Sequence, residues 1–338
     1  MSVPVSANGS EPLLAVEGLV TRYPVPRGIV GSLALRPKQH VNAVDGVSFT
    51  VAECEMIALV GESGCGKTTT AQSVLRLVEP DAGTVRFRGR ELTDLSNRAL
   101  RPLRRQMQMI YQDPYESLDP RFRVRSTVEE PLLVHGVGSR AERRRLVEEA
   151  LVRAGLTPPE LYVDRFPHEL SGGQRQRVAI AASLVLDPEL LVADEPVSML
   201  DVSVRAGVLR LLDGLRQEGL GILMITHDLS TAAHFANRIA VMYLGRIVEE
   251  GPAREIVRNP QHPYTKALLS VVPKPDPRER SRPQILQGET PDPTHIPVGC
   301  RFHPRCPIAI PECKQVDPEL LRPAGSRSPE HVAACIRA

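Results

Sequence analysis

The sequence predicts an α/β fold with a parallel sheet at its core. Three short apolar runs carry this prediction, because strands buried on both faces of a parallel sheet lack polar alternation. The runs are Met56–Val60, Leu190–Glu195, which ends in two acids, and Gly221–Thr226. Each leads into glycine or polar residues, and open α/β sheets bind ligands at the carboxyl ends of their strands.

The first run leads into a glycine-rich segment that matches G-x-x-x-x-G-K-[ST] between a strand and a helix. An ordinary glycine-rich turn is the alternative, but it does not require these residues in this order. In such a loop, backbone N–H groups and a helix N-terminus surround the β-phosphate of a nucleotide. Lys67 then spans the β- and γ-phosphates, and Thr68 offers its hydroxyl to Mg²⁺. The predicted nucleotide-binding segment is Gly61-Glu62-Ser63-Gly64-Cys65-Gly66-Lys67-Thr68-Thr69.

The second and third runs deliver further polar groups to the same sheet edge. Asp194 fits the carboxylate associated with Mg²⁺, although a buried strand normally avoids charge. Glu195 alternates to the other side of the strand end, where it can polarise a water in line with the γ-phosphate. His227 follows the third run and is predicted to contact the γ-phosphate, although an isolated histidine is more often structural.

The N-terminal part alternates as antiparallel strands do, over Leu13–Val20 and Val41–Val51. Between them lies an unusually long segment, Pro24–Gln39, that contains proline and glycine. Tyr23 closes the first strand.

The segment from Gln112 to Asp187 is predicted to be helix-rich and inserted into the α/β core. Ser139 begins a capping box, after which Leu146, Ala150 and Ala154 share one helix face. Arg143, Arg144 and Arg145 form a solvated face of the same helix. A later amphipathic helix is marked by Val204, Val208, Leu211, Leu212 and Leu215 and stops at Gly219.

A second glycine-containing element, Leu170-Ser171-Gly172-Gly173-Gln174, precedes another helix. Ser171 is a good N-cap, and the two glycines expose backbone donors that suit an anion. Taken alone, the element is equally compatible with a plain loop before a capped helix.

Composition favours a protein without a membrane span of its own. The chain has 338 residues, of which 42% are hydrophobic, and this is enough for a core of one large domain and an appendage. No apolar run approaches the ~20 residues of a membrane helix, and the N-terminus lacks a signal-peptide pattern. The net charge of +2 is too balanced to favour nucleic acid as a partner.

Together these motifs resemble the ATP-binding subunits of ATP-binding cassette (ABC) transporters, over residues 11–255. The resemblance implies a RecA-like phosphate-loop core with an antiparallel β part and an inserted helical subdomain at about 112–187. Gln112, the signature at Leu170–Gln174 and an S-x-L-D loop at Ser198–Asp201 complete the family's motif set.

The resemblance also implies how these residues act. Two cassettes pack head to tail, so that Ser171, Gly172, Gly173 and Gln174 face the γ-phosphate held by the partner. It further implies that Tyr23 stacks on adenine and that Gln112 touches Mg²⁺ or the attacking water. The loop Asp113–Pro120 would line the groove that receives a coupling helix of a membrane subunit.

Beyond Gly251 the chain resembles the ATPases of oligopeptide and dipeptide importers, through the element Asn259–Leu269 and the segment Tyr111–Arg121. This implies a second, different ATPase subunit, two permease chains and an extracytoplasmic binding protein. The chain would then lie peripherally on the cytoplasmic face of the plasma (inner) membrane. Related systems import nickel, glutathione or sugars, so the solute is not fixed by these motifs.

The region 256–338 is expected to form a C-terminal extension. Its first part is a proline-rich linker, marked by Pro273, Pro275, Pro277, Pro283, Pro291, Pro293 and Pro297. Its last part carries Cys300, Cys306, Cys313 and Cys335, whereas Cys54 and Cys65 are expected in the core.

Three roles are open for the four tail cysteines. Disulfides are disfavoured in a reducing compartment. Structural zinc has the right ligand count but usually uses C-x-x-C pairs, and an iron–sulfur cubane also takes four thiolates and tolerates varied spacing. The residues alone leave zinc and iron–sulfur equally open. The resemblance to importer ATPases with such a tail implies a [4Fe-4S] cluster.

Two classes of function are compatible with these motifs. One is a transporter ATPase, and the other is a soluble cassette protein that acts on nucleic acid or ribosomes. Soluble cassette proteins usually carry two cassettes in one chain or a long coiled-coil insertion. Neither feature is present in this sequence, which favours the transporter.

Overall fold

The structure is a computed structural model that describes residues 11–25, 39–113, 118–272, 284, 286 and 288–338. Its strands are β1 Leu14–Pro24, β2 His40–Val51, β3 Met56–Val60, β4 Ala82–Phe87, β5 Arg90–Glu91, β6 Met107–Ile110, β7 Leu190–Asp194, β8 Gly221–Thr226, β9 Arg238–Tyr243, β10 Arg246–Pro252 and β11 Val332–Ala333. Its helices are α1 Lys67–Val74, α2 Asn97–Gln106, α3 Val124–His135, α4 Arg140–Arg153, α5 Gly172–Leu184, α6 Val202–Gln217, α7 Leu229–Phe235, α8 Ala253–Arg258 and α9 Pro263–Ser270. Short 3-10 turns lie at Pro159–Leu161, Pro167–Glu169, His303–Arg305 and Pro311–Lys314.

The chain folds into two compact units, each built from separate parts of the sequence. The first unit contains the described residues up to Thr50, together with Ile57–Thr93 and Thr226–Ala338. The second unit contains Val51–Met56 and Asp94–Ile225. No helix in the described ranges is both long and apolar enough to cross a membrane.

The first unit contains an antiparallel β part, as the alternating N-terminal segments predict. Strands β2, β1, β4 and β5 lie in that order, and β4 is antiparallel to both β1 and β5. Leu14, Val16 and Leu19 of β1 are fully buried, and the residues between them are less so. This alternation is what a sheet with one buried face requires.

The first unit also holds four strands in the order β11, β10, β9 and β3. Strand β3 runs parallel to β9, with Val60 opposite Val241. All five residues of β3 are buried, which confirms the predicted strand Met56–Val60. The other neighbouring pairs in this row are antiparallel.

The second unit contains β8, β7 and β6 as parallel neighbours. The predicted strand Gly221–Thr226 is confirmed as β8, whose residues are all buried. Strand β7 stops at Asp194, one residue earlier than predicted, because Glu195 has a left-handed backbone with φ of 43°. Glu195 is thus part of the turn after the strand, and simple strand alternation does not set its direction.

Helix α4 of the second unit confirms Ser139 as an N-cap. Ser139 accepts a hydrogen bond from the Glu142 N–H at 3.3 Å and begins α4. The prediction that Leu146 joins the buried face of α4 is wrong. The buried residues are Val147, Ala150, Leu151 and Ala154, which follow the i, i+3, i+4, i+7 spacing of one helix face, and Leu146 lies beside it.

The structure tests the expected burial of Cys54 and Cys65, whereas several other predicted segments lie outside the described residues. Cys54 is exposed in the turn before β3, so its expected place in the core is wrong, whereas Cys65 is buried. Cys54 has a left-handed φ of 57° and lies in the turn, outside the strand, where its side chain is exposed. Most of Pro24–Gln39, part of Asp113–Pro120 and the linker prolines Pro273, Pro275, Pro277 and Pro283 lie outside the described residues.

The C-terminal segment is attached to β10 by one buried carboxylate. Glu249 is fully buried and accepts hydrogen bonds from the backbone N–H groups of Gln261 at 2.6 Å and His262 at 2.9 Å. Its Oε1 also lies 2.7 Å from Nε2 of His331. One side chain therefore joins β10, the start of α9 and the segment before β11.

We expect Glu249→Leu to lower the free energy of unfolding by roughly 3 kcal/mol, because it leaves buried donors without an acceptor. Urea unfolding of the full chain measures this loss. Glu17→Gln is the matched control, since Glu17 pairs with Arg86 on a strand where both side chains are more than a third exposed. The control should change stability by no more than about 1 kcal/mol, and equal losses in the two variants would contradict the assigned role of Glu249.

Candidate functional site

The glycine-rich segment lies in the first unit, between the end of β3 and the start of α1, as predicted. A Cβ added to Gly61 would lie 2.2 Å from the carbonyl oxygen of Met242, and one added to Gly66 would lie 2.0 Å from that of Ala43. The backbone of the segment therefore packs directly against the backbone of its neighbours. Only glycine allows an approach this close.

Lys67 is buried inside the loop that precedes it. Its Nζ donates to the carbonyl oxygens of Gly61 at 2.8 Å and Glu62 at 2.9 Å. The ammonium group is thereby held over the loop by two backbone oxygens. Such contacts can be exchanged for stronger ones with an anion, because hydrogen bonds between two charged groups exceed those to a neutral carbonyl.

The start of α1 has the features of an anion site. Gly66 is its N-cap with φ of 107°, and its first turn contains no acidic side chain. The first N–H groups of a helix lack intrahelical acceptors and carry partial positive charge. Ser63 and Thr68 are exposed, and Cys65 is buried within the loop, where burial raises the pKa of its thiol.

In the second unit, the carboxylates after β7 have clear neighbours. Asp194 is buried at the end of the strand, and Glu195 is half-buried. Nε2 of Gln112 donates to Oε2 of Glu195 at 3.1 Å, so the structure brings together two of the predicted site residues. The Ser198 hydroxyl donates to the Glu195 carbonyl at 3.1 Å and fixes the turn.

The Leu170–Gln174 element forms a capping box at the start of α5, which confirms the predicted N-cap. Gln174 N–H donates to the Ser171 hydroxyl at 3.3 Å, and Ser171 N–H donates to Oε1 of Gln174 at 2.9 Å. A Cβ on Gly173 would lie 2.4 Å from Cγ1 of Val204 in α6. Gly173 therefore allows α5 to pack closely against α6, and Ser171 itself is exposed.

The remaining predicted residues lie in the first unit. His227 is exposed directly after β8, next to Asp228, which caps α7 by accepting from the N–H groups of Ser230 at 2.9 Å and Thr231 at 3.3 Å. Tyr23 lies near the end of β1 and is also exposed. Both side chains are therefore accessible to a ligand.

Sequence reasoning missed a group of contacts on Glu62. The Glu62 carboxylate binds both terminal nitrogens of Arg305, at 2.8 and 3.2 Å, and accepts from the Thr290 hydroxyl at 2.9 Å. The Glu62 N–H donates to the hydroxyl of Tyr264 at 2.9 Å. Glu62 occupies a variable position of the motif, and its partners lie more than 200 residues away. The one sequence feature that could have indicated these contacts is the presence of a carboxylate, which needs a positive partner, in a loop that binds anions.

The four tail cysteines line one small cavity, together with His262, His303 and Phe302. All four are free thiols. Burial and the nearby thiols of Cys313, Cys335 and Cys306 together raise the pKa of Cys300 to about 11. Burial likewise raises the pKa of Cys306 and of Cys335. Thiols in such surroundings stay protonated unless a positive group binds them.

The donors that line this cavity include four thiols, the ligand number expected for both metal groups that the sequence suggests. Within the described ranges, no three Cys, His, Asp or Glu side chains are placed to hold one metal ion. A cubane cluster bonds each thiolate to a different iron, so its ligands line a cavity rather than converge on one point. Four thiols around one cavity fit that requirement.

Two families of sequences match this chain, and they match separate parts of it. Residues 44–198 match the ABC transporter family, and residues 248–313 match the C-terminal region of oligopeptide and dipeptide transporters. A phosphate loop after a buried strand and an acid pair after a parallel strand define the class of phosphate-loop nucleotide-binding proteins. Within that class, the two family matches indicate the ATP-binding subunits of ABC transporters.

Relatives cover almost the whole chain. A peptide import ATP-binding protein of Brucella ovis is 46% identical over 96% of this chain and 98% of its own length. The oligopeptide transport ATP-binding protein AppF of Bacillus subtilis is 44% identical over 98% of this chain and 99% of its own length. This chain belongs to the ABC transporter family, as one of its ATP-binding subunits.

Solved structures of cassettes share the fold. A dimeric, post-hydrolysis ATP-binding cassette bound to ADP and Pi is 29% identical, with a TM-score of 0.62 over 71% of this chain and 99% of that chain. The cassette CbiO1 of Clostridium perfringens, part of a CbiONQ transporter complex, is 28% identical, with a TM-score of 0.62 over 74% of this chain and 92% of its own. The predicted α/β cassette fold is thereby confirmed.

The two positive-φ glycines of the loop should respond very differently to substitution. Gly64 has φ of 77° with open space at the Cβ position, so Gly64→Ala should lower the free energy of unfolding by only about 1 kcal/mol. Gly66→Ala adds a backbone clash and should cost at least about 3 kcal/mol. Urea unfolding of the two variants measures the difference, and equal losses would show that the close approach at Gly66 is unimportant.

Proposed function

We propose that this chain is the ATP-hydrolysing subunit of an importer for di- and oligopeptides. The observation that carries the proposal is the buried Lys67, held over a glycine-rich loop by two backbone carbonyl groups at the N-terminus of α1. The named relatives, which are peptide import and oligopeptide transport ATP-binding proteins, support peptides as the cargo. The cassette would span residues 11–255, with its helical subdomain at about 112–187, and the extension residues 256–338.

The proposed ATP contacts begin in the phosphate loop. Backbone N–H groups of Gly61 to Thr69 would hold the phosphates, and Lys67 would exchange its two carbonyl contacts for β- and γ-phosphate oxygens. Thr68 and Asp194 would hold Mg²⁺, whose chemistry is to neutralise charge on the phosphates. Tyr23 would stack on the adenine ring.

The proposed hydrolytic group is Glu195. Its carboxylate accepts a hydrogen bond from Gln112 at 3.1 Å, which orients it without neutralising it. A carboxylate held in this way can accept a proton from the attacking water as the bond to the γ-phosphate forms. Gln112 would also contact Mg²⁺ or that water, and His227 would contact the γ-phosphate.

The exposed N-terminus of α5 supports a head-to-tail pairing with a second cassette. Ser171, Gly172, Gly173 and Gln174 would approach the γ-phosphate held by that second subunit, which we propose is a different chain. Two membrane permease chains and an extracytoplasmic peptide-binding protein would complete the importer. The chain would then act at the cytoplasmic face of the plasma membrane. Nickel, glutathione or another small solute is the alternative cargo.

We also propose that Cys300, Cys306, Cys313 and Cys335 hold a [4Fe-4S] cluster. The support is that all four thiols line one cavity and that burial raises the pKa of Cys300, Cys306 and Cys335. A cluster of this kind supplies positive irons that thiolates bind and a capacity for one-electron transfer. Zinc is the alternative.

Glu195→Gln should preserve ATP binding and reduce ATP turnover by about a hundredfold or more, because the amide cannot accept the proton of the attacking water. Phosphate release by the assembled transporter measures turnover, and equilibrium binding of MgATP measures affinity. Unchanged hydrolysis would remove Glu195 from this role.

Lys67→Ala is the companion variant of that experiment. It should weaken binding of MgATP itself, since the only side-chain cation inside the loop is lost. Normal affinity in Lys67→Ala would contradict the assignment of the phosphate loop.

Anaerobic purification of the full chain should yield iron and acid-labile sulfide in equal amounts, with a thiolate-to-iron absorption band. Cys306→Ser should lose most of both. Cys54→Ser is the matched control, because Cys54 is exposed and remote in sequence from the four, and it should keep the wild-type content. One bound zinc with no absorption band would establish the alternative.

A further inference from the structure

The C-terminal extension reaches into the phosphate loop at one residue, Glu62. The contacts come from three places in the extension: Tyr264 in α9, Thr290 in the segment after it, and Arg305 in a 3-10 turn. They engage the backbone N–H of Glu62 and both carboxylate oxygens. The remaining polar group of Glu62, its carbonyl, accepts a hydrogen bond from Lys67 at 2.9 Å.

The Arg305 side chain is built into this position. It is only 9% exposed, and its guanidinium carbon lies 5.9 Å from the ring centre of Tyr243. Both terminal nitrogens of this guanidinium donate to the Glu62 carboxylate, at 2.8 and 3.2 Å, so its charge is paired where the side chain is buried. A two-pronged contact with a carboxylate also fixes the direction of that carboxylate, which a lysine cannot do.

The charge of Glu62 explains why such a partner matters. Glu62 belongs to the loop that we propose surrounds a triphosphate, so an unpaired carboxylate there would repel the ligand. The same residue supplies one of the two carbonyl groups that hold Lys67. Arg305 therefore bears on ATP in two ways, by neutralising Glu62 and by fixing the backbone on which Lys67 rests.

We propose that Arg305 is a positioning residue for ATP binding, through which the C-terminal extension orients the phosphate loop. This inference rests on the proposed nucleotide site and assigns a task to a part of the chain outside the cassette. The 3-10 turn that carries Arg305 lies between Cys300 and Cys306, which both line the cysteine cavity. The segment that forms the cavity thus also supplies the contact with the loop.

The test measures the dissociation constant of MgATP for the purified full chain and for five variants. Arg305→Ala should weaken binding about tenfold, since it removes a charged hydrogen-bonded pair. Arg305→Lys should fall between Arg305→Ala and wild type, because it restores the charge without the two-pronged geometry. The double variant Glu62→Gln/Arg305→Ala should recover most of the lost affinity, since the unpaired negative charge is gone.

Asp317→Asn is the matched control. Asp317 lies in the extension and pairs with Arg246 of β10, so this variant also breaks an ion pair between the extension and the rest of the first unit. It does not touch the loop, and its affinity for MgATP should equal that of wild type. Thermal unfolding of each variant identifies any that fail to fold. If Arg305→Ala does not fold, the affinities of Arg305→Lys and Asp317→Asn for MgATP are compared instead, and weaker binding by Arg305→Lys alone supports the inference.

Three results would overturn the inference. The first is that Arg305→Ala or Arg305→Lys binds MgATP as tightly as wild type. The second is that Asp317→Asn loses as much affinity for MgATP as Arg305→Ala does. The third is that the double variant binds MgATP as weakly as Arg305→Ala. Either of the first two results would show that Arg305 has no specific effect on MgATP binding. The third would show that the lost affinity does not come from the unpaired charge of Glu62. Lys67→Ala separates this failure from failure of the nucleotide site: if it binds MgATP like wild type, or if wild type does not bind at all, the proposed function fails. If Lys67→Ala is weak and Arg305→Ala is normal, only the role of Arg305 fails.

Discussion

The buried carboxylate of Glu249 is the interaction on which the C-terminal part of the first unit depends. It accepts hydrogen bonds from two backbone N–H groups at the start of α9 and contacts His331, and Glu249, His262 and His331 are all buried. His262 then caps α9 through Nδ1, which accepts the Tyr264 N–H at 3.1 Å. Burial lowers the pKa of His262 to about 4, so the ring is neutral near pH 7 and can accept. This arrangement places α9, and with it Tyr264, against the loop.

The phosphate loop is consequently held on more than one side. Gly61 and Gly66 press its backbone against Met242 and Ala43, and the Gly245 N–H donates to the Cys65 carbonyl at 2.9 Å. The extension holds it again at Glu62. A loop fixed in this way needs little reordering when a ligand arrives, and preorganisation lowers the entropic cost of binding. Side chains that never touch a ligand thereby influence its affinity.

The sequence predicted those features that depend on neighbouring residues. Buried strands, the loop motif and the caps at Ser139 and Ser171 are local patterns, and the structure contains them. The ion pair of Glu62 and Arg305 was not predictable, because its partners are 243 residues apart and neither belongs to a motif that requires the other. The end of β7 was predicted one residue too late for a different reason: the left-handed φ at Glu195 is rare for a non-glycine residue, and no residue type indicates it.

A partly buried ion pair such as that of Glu62 and Arg305 is a poor means of stabilising a protein. Removing two charges from water costs about as much as their attraction returns, and a well-packed apolar pair of similar volume often does as well. The aromatic group of Tyr243, Tyr264 and Phe302, with ring centres 4.7 to 5.4 Å apart, already supplies apolar packing beside Arg305. Stability alone therefore gives no reason for a carboxylate and a guanidinium at this place. What the pair provides, and apolar residues could not, is a fixed direction for the Glu62 side chain and electrical neutrality beside a loop shaped for phosphates.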